Sequence, residues 1–247
     1  MTILCIETST SVCSAAICKD GVLNKQCINY EGSNHARLLP LYIEQLLQYA
    51  RENNLTIEAV ALSKGPGSYT GLRIGTSTAK GLCYGLNVPL IPVPTLDVLC
   101  EAAREKLYTI HRTPYTLLPM LDARRMEVYT SINGETKAVV VENEDSFGII
   151  NLSAERSVSP EDGLCSVSEA VYYFGDGASK CTKLFTKPNW HYIPDIVPEA
   201  QFVGALAEQI SNLQSQMSNA KSVDLAYYEP FYLKEFIAAQ SHVKGLK

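Results

Sequence analysis

The sequence predicts an α/β protein with a mixed β-sheet and helices on its faces. Three observations carry that prediction. The chain opens with three short strands and a hairpin signal, the apolar period then changes from two to three-and-four, and strands and helices alternate afterwards.

Residues 2–7 form a short apolar run, and residues 12–18 mix small and β-branched side chains. Asp20-Gly21 is a hairpin turn signal, and residues 22–28 are the returning strand. A helix is predicted over residues 35–52, where Leu38, Leu39, Tyr42, Leu46, Leu47 and Tyr49-Ala50 recur at three and four, with Asn34 placed to cap its start. Residues 57–63 read as a strand, 70–86 as a helix stopped by Asn87, 88–93 as a strand with prolines, and 95–106 as a helix capped by Thr95.

Residues 114–121, 126–132 and 137–141 predict a second group of strands, with Asp122-Ala123-Arg124-Arg125 as their first turn. Residues 142–168 are polar and show little periodicity. Residues 170–174 read as a strand ending in Gly175-Asp176-Gly177-Ala178, with a short helix after it. A helix over residues 202–216 places Phe202, Leu206, Ile210 and Leu213 on one face. The two halves are read as related lobes: residues 1–105, joined by the tail 225–247, and residues 106–224.

Composition narrows the function classes. The net charge is −5 and no basic block occurs, which argues against a chain that grips nucleic acid alone. No apolar stretch approaches the roughly 18–20 residues of a membrane span, and the start has no basic residue ahead of its apolar run, so a soluble cytoplasmic protein is expected. The eight cysteines (Cys5, Cys13, Cys18, Cys27, Cys83, Cys100, Cys165 and Cys181) form no C-x-x-C pair and are expected to be reduced, mostly as small buried hydrophobes.

Residues 65–81 read GPGSYTGLRIGTSTAKG after an apolar run, which suggests a phosphate cradle. Counted out, the suggestion fails. Five residues beyond Gly65 and Gly67 stand Thr70 and Leu72, Lys80 follows Ala79 rather than glycine, and Gly71 comes one step late for a dinucleotide fingerprint. What recurs is a ridge of small residues, Gly71, Gly75 and Ala79, spaced by four on one helical face. Glycine inside a helix costs about 0.5–1 kcal/mol relative to alanine, so another backbone should come close. Two readings stay open: packing on the chain's own sheet, or an interface with another subunit rimmed by Arg73 and Lys80.

Thr8-Ser9-Thr10-Ser11, after the first strand, has the hydroxyls and amides to meet a phosphate, or is an ordinary polar turn. His35, His111, His191 and His242 are far apart with no H-x-x-x-H pair, and no G-x-S-x-G elbow occurs, so neither a metal centre nor a nucleophile is expected.

Several stretches together resemble the TsaB (YeaZ) family: residues 3–10, His35-Ala36-Arg37-Leu38-Leu39-Pro40, residues 65–85, residues 121–129, Gly175-Asp176-Gly177-Ala178 and Pro230-Phe231-Tyr232-Leu233-Lys234. The resemblance covers nearly the whole chain in order. It implies a two-lobed, actin-like ASKHA fold and a role in making threonylcarbamoyladenosine beside the anticodon of tRNA. In that system a paralogue, TsaD, transfers the threonylcarbamoyl group using a metal, and a small ATPase, TsaE, docks on the TsaB–TsaD pair. The implied function is a non-catalytic scaffold subunit with no cofactor and no membrane contact, meeting tRNA only through the complex.

In the catalytic paralogue, a strand like residues 88–93 runs into metal-binding histidines; here the corresponding positions hold Thr95 and Leu99, which cannot replace imidazoles. The partner surface implied by the resemblance uses the two helices that start near His35 and Thr70. It comprises His35, Leu38, Leu39, Tyr42, Gly71, Arg73, Gly75 and Ala79, and the same patch would serve a homodimer when the partner is absent. Thr8, Ser9, Ser11, Gly175, Asp176 and Gly177 remain as a vestigial phosphate-binding set. The rival class is a stand-alone ASKHA ATPase or kinase, with Glu7 and Asp176 as its acids, or an M22-like metallopeptidase, which the missing ligands disfavour.

Overall fold

In the computed structural model, residues 1–32, 34–107, 115–132, 134–149, 170–216 and 223–234 are described. His111, His242 and Cys165 lie outside the described residues, as does most of the polar stretch 142–168.

The first lobe is a five-stranded sheet in the order β3-β2-β1-β4-β5. Strands β1 (Thr2–Glu7), β2 (Cys13–Lys19) and β3 (Val22–Asn29) form an antiparallel meander, and β4 (Ala59–Ser63) and β5 (Leu90–Val93) add in parallel on the far side of β1. Helix α1 (His35–Glu52) connects β3 to β4, and α2 (Tyr69–Leu86) connects β4 to β5. β1 and β4 are buried along their whole length, as strands covered on both faces must be.

The second sheet repeats this plan. Its strands β6 (Tyr115–Asp122), β7 (Glu127–Ile132), β8 (Glu135–Val140), β9 (Ala170–Phe174) and β10 (Trp190–Ile193) lie in the order β10-β9-β6-β7-β8, with an antiparallel meander on one side of β6 and two parallel strands on the other. Read from the meander edge, each lobe runs third, second, first, fourth, fifth. The two lobes are thus related, as the actin-like fold requires. β10 was missed in the sequence because four residues carry too short an alternation to register.

The helix that follows the fifth strand of each lobe leaves it. α3 (Thr95–Leu107) places Leu96, Leu99, Ala103 and Leu107 in a core with Leu121, Phe174 and Ile193 of the second sheet. α4 (Ala200–Gln216) instead packs on the first sheet, burying Ala200, Val203 and Ala207 against Ile3, Cys5, Ala16 and Cys18. α4, within the stretch 106–224, thus covers the first sheet, and α3, mostly within the stretch 1–105, leans on the second.

The small residues of α4 are buried deepest, and its large apolar ones up to Ile210 pack beside them. Phe202, Leu206 and Ile210 are only half-buried and Leu213 is exposed, while the small residues face inward. A β-carbon on Gly204 would stand 2.3 Å from Cys18 Sγ, so the helix reaches the sheet through its smallest residues. Asn34 precedes α1 without a side-chain capping bond, whereas Ser68 caps α2 by accepting from Gly71 N at 3.4 Å. Seven of the cysteines are free thiols, five of them buried. No described helix is long and apolar enough to cross a membrane.

Candidate functional site

The small-residue ridge of α2 faces the chain's own sheet. A β-carbon on Gly71 would lie 2.0 Å from the Thr8 carbonyl oxygen, and one on Gly75 would lie 2.3 Å from Thr8 Oγ1. Ala79 is fully buried in the core shared by α1, α2 and the first sheet, and Leu39 sits in the same core. His35 is buried too, with Nε2 3.2 Å from the Val12 carbonyl oxygen. These five residues are therefore withdrawn from a partner surface, because the fold itself already covers them. Leu38 and Tyr42 are half-buried against that core, and Arg73 is exposed, donating to Tyr69 Oη at 3.0 Å.

A second stripe of small residues lies on the opposite face of α2. Ser77, Gly81 and Gly85 are spaced by four and exposed. A β-carbon on Gly81 or Gly85 would meet nothing within 4 Å among the described residues. Tyr84, 86% exposed, stands beside them, and Leu41 of α1 is also exposed. The spacing was visible in the sequence, but periodicity alone does not say which of two small faces is turned outward.

The inner ridge brings the Thr8–Ser11 turn and the glycine loop together. Ser68 N donates to the Ser9 carbonyl oxygen at 2.6 Å, and Gly67 is pressed against the same carbonyl. Both segments form one wall of a cleft of about 790 Å³ between the lobes. The start of α1 adds to this wall, and the 121–124 turn, Tyr129, Asp176 and residues 231–234 complete the lining.

Of the phosphate-type residues, Ser9, Ser11 and Asp176 reach the cleft, and Thr8, Gly175 and Gly177 do not. Thr8 Oγ1 is spent on the Gly71 carbonyl at 2.9 Å. Ser9 gives both its backbone N–H, at 2.6 Å, and its hydroxyl, at 2.5 Å, to Glu7 Oε1. Gly175 and Gly177 pack against the end of β6. Asp176 Oδ1 accepts from Asp122 N at 2.8 Å, and Asp122 in turn pairs with Lys180, which also donates to the Glu127 carbonyl at 2.6 Å.

Glu7 does not line the cleft. Its carboxyl is fully buried, and Ser63 Oγ donates to its second oxygen. Burial pushes its pKa above the ordinary value, opposed by the hydrogen bonds from Ser63 and Ser9. It thus positions Ser9 and Ser63 and presents no oxygen for a cation.

The residues at the positions of the paralogue's metal ligands do not fit a metal. Thr95 Oγ1 accepts from Gly65 N at 3.1 Å, and Leu99 is fully buried among apolar side chains. Among the described residues no group of three His, Cys, Asp or Glu is placed to hold an ion.

Sequence reasoning missed the role of the tail. Residues 231–234 line the cleft from both sides: Tyr232 packs on Tyr69 with ring centroids 5.0 Å apart, and Lys234 pairs with Glu127. The 122–125 turn read from the sequence is present, but the sequence did not show that Arg124 and Arg125 both adopt left-handed φ values, 69° and 50°. The signals, an aromatic Phe231-Tyr232 pair and a glycine-free turn, are too common to read alone.

The family model described as "TsaD: tRNA N6-adenosine threonylcarbamoyltransferase" matches residues 29–240. The tRNA threonylcarbamoyladenosine biosynthesis protein TsaB of Haemophilus influenzae is 30% identical over 237 residues, covering 95% of this chain and 94% of the relative. Its Escherichia coli counterpart is 28% identical over 249 residues, with 96% of each chain covered. Among solved structures, YeaZ from Pseudomonas aeruginosa has the same fold, with a TM-score of 0.64 at 24% identity over 94% of this chain and 99% of that one. Two sheets of repeated order, the cleft between them and full-length relatives sharing one name lead to one conclusion: this chain belongs to the TsaB family of tRNA threonylcarbamoyladenosine biosynthesis proteins.

Proposed function

We propose that this chain is a non-catalytic subunit of threonylcarbamoyl transfer to tRNA, acting by binding a TsaD-type transferase through the outer faces of α1 and α2. The observation that carries the reading is the exposed stripe Ser77, Gly81, Gly85. Gly81, inside the helix, weakens α2 by about 0.5–1 kcal/mol, and nothing among the described residues comes close enough to use the space that it and Gly85, in the last turn, leave. A partner helix lying against them would use it, and Tyr84 and Leu41 supply apolar contact area beside it. Thr95 and Leu99 carry no imidazole, Thr95 Oγ1 is spent on Gly65 N, and Leu99 is buried among apolar side chains, which supports the non-catalytic part of the reading. A TsaE-type ATPase would dock on the resulting pair, tRNA would be met through the pair, and in the partner's absence the same face would serve a homodimer.

The test is co-purification with the TsaD-type paralogue, followed by reconstituted tRNA modification. Gly81→Arg should abolish both while leaving the melting temperature of the isolated chain within a few degrees. Retention of the complex would remove the assigned face. Robust ATP hydrolysis by the isolated chain would overturn the non-catalytic assignment.

A further inference from the structure

The two lobes are joined through α3 and α4, which pack on each other and on the opposite sheets, and neither helix lines the cleft. The lining does include residues 231–234, which pass from the first lobe to the second. Phe231 N donates to the Lys64 carbonyl at 2.7 Å, and Gly65 is so close beneath Phe231 that a β-carbon there would lie 2.3 Å from its carbonyl oxygen. Upstream, Lys80 Nζ donates to the carbonyls of Ala226 at 2.9 Å and Tyr228 at 3.2 Å. Tyr232 then stacks on Tyr69 of the first lobe. Two residues later Lys234 pairs with Glu127 on β7, its ammonium 5.8 Å from the Tyr129 ring centroid. The segment thus has four anchors on the first lobe and one charged anchor on the second.

We propose that residues 223–234 form a reversible clasp across the cleft, with Lys234–Glu127 as its latch. The helices on one side act as the hinge, and the clasp spans the other side. The latch side chains are 39% and 23% exposed, so water and salt compete for them and the latch opens readily. Engaged, it holds the lobes together over the Ser9–Ser11 turn; released, it lets them part and admits solute to the cleft.

The experiment is single-molecule energy transfer on the full chain, with dyes on encoded azide residues replacing the exposed Arg51 of α1 and Glu135 of β8. Lys234→Gln and Glu127→Gln should each raise the ratio of open to closed molecules about fivefold. The double variant should do no more than either single one, and the exchange Lys234→Glu with Glu127→Lys should restore closure. Tyr232→Ala, which removes the first-lobe anchor nearest the latch, should open the lobes as well. An unchanged distribution in the single variants, additive effects in the double variant, or an exchange that fails to restore closure would each overturn the clasp.

Discussion

Thr8 and Gly71 lock the first strand to the second helix. Thr8 Oγ1 donates to the Gly71 carbonyl at 2.9 Å, while the Thr8 carbonyl occupies the space that a β-carbon on Gly71 would need. One side chain and one missing side chain thereby fix where α2 begins, and with it the wall of the cleft.

That joint predicts opposite signs for two glycines on one helix. Gly71→Ala drives a methyl group into a backbone carbonyl that cannot move aside, so it should destabilise the chain by about 1–3 kcal/mol. Gly81→Ala enters open space and should stabilise it by about 0.5–1 kcal/mol. Urea unfolding of the two variants checks both; stabilisation at Gly71 would refute the inner packing.

Glu7 predicts a pH dependence. Its native pKa lies above the ordinary 4.5, chiefly because burial disfavours the charged form. Stability from a group so shifted is fully present below the unfolded value and is lost as pH rises through the native one. Glu7→Gln keeps an oxygen to accept from Ser9 and offers an amide to Ser63 Oγ, with no charge to bury. Between about pH 4 and pH 7, the difference in unfolding free energy, variant minus parent, should therefore grow in favour of the variant. A difference that is flat across that range would show that Glu7 is not the group responsible.

Much of this architecture is legible in the residues. The helix over 35–52 and the strands over 2–7 and 170–174 follow from periods long or apolar enough to be unambiguous. The helix end at Asn87, left-handed with φ 54°, follows from asparagine, which after glycine is the usual residue at such a helix end. Orientation was harder to read. Gly71-Gly75-Ala79 and Ser77-Gly81-Gly85 have the same spacing, and only the sheet decides which is inside. Likewise Phe202, Leu206 and Ile210 outweigh Ala200, Val203, Gly204 and Ala207 on any hydrophobicity count, yet the small residues are the ones that let α4 approach Cys18. The cleft was legible only in pieces, because its walls come from stretches scattered between Ser9 and Lys234.

The α4 face makes its own prediction. Gly204 stands where a β-carbon would be 2.3 Å from Cys18 Sγ and 3.1 Å from Cys5 Sγ. Gly204→Ala should lower stability by about 1–3 kcal/mol despite alanine's better helix propensity. Combining it with Cys18→Ala, which removes the nearest sulfur, should recover part of the loss. If the two changes simply add in a double-mutant cycle, the helix is not held by that contact.

Lys80 tests whether the tail is fastened where the contacts place it. Its ammonium donates to two carbonyls, those of Ala226 and Tyr228, from a half-buried position on α2. Hydrogen bonds to a charged donor contribute about 1.5–3 kcal/mol when shielded, and partial exposure reduces that here to about 1 kcal/mol. Lys80→Met retains most of the apolar stem and deletes the donors, so its loss reports the carbonyl contacts rather than packing. The expected result is a destabilisation of about 1 kcal/mol, with faster proteolytic cleavage within residues 223–234 and an unchanged rate in α1. Cleavage that speeds up equally in both places would mean that Lys80 supports the whole lobe and not the tail in particular.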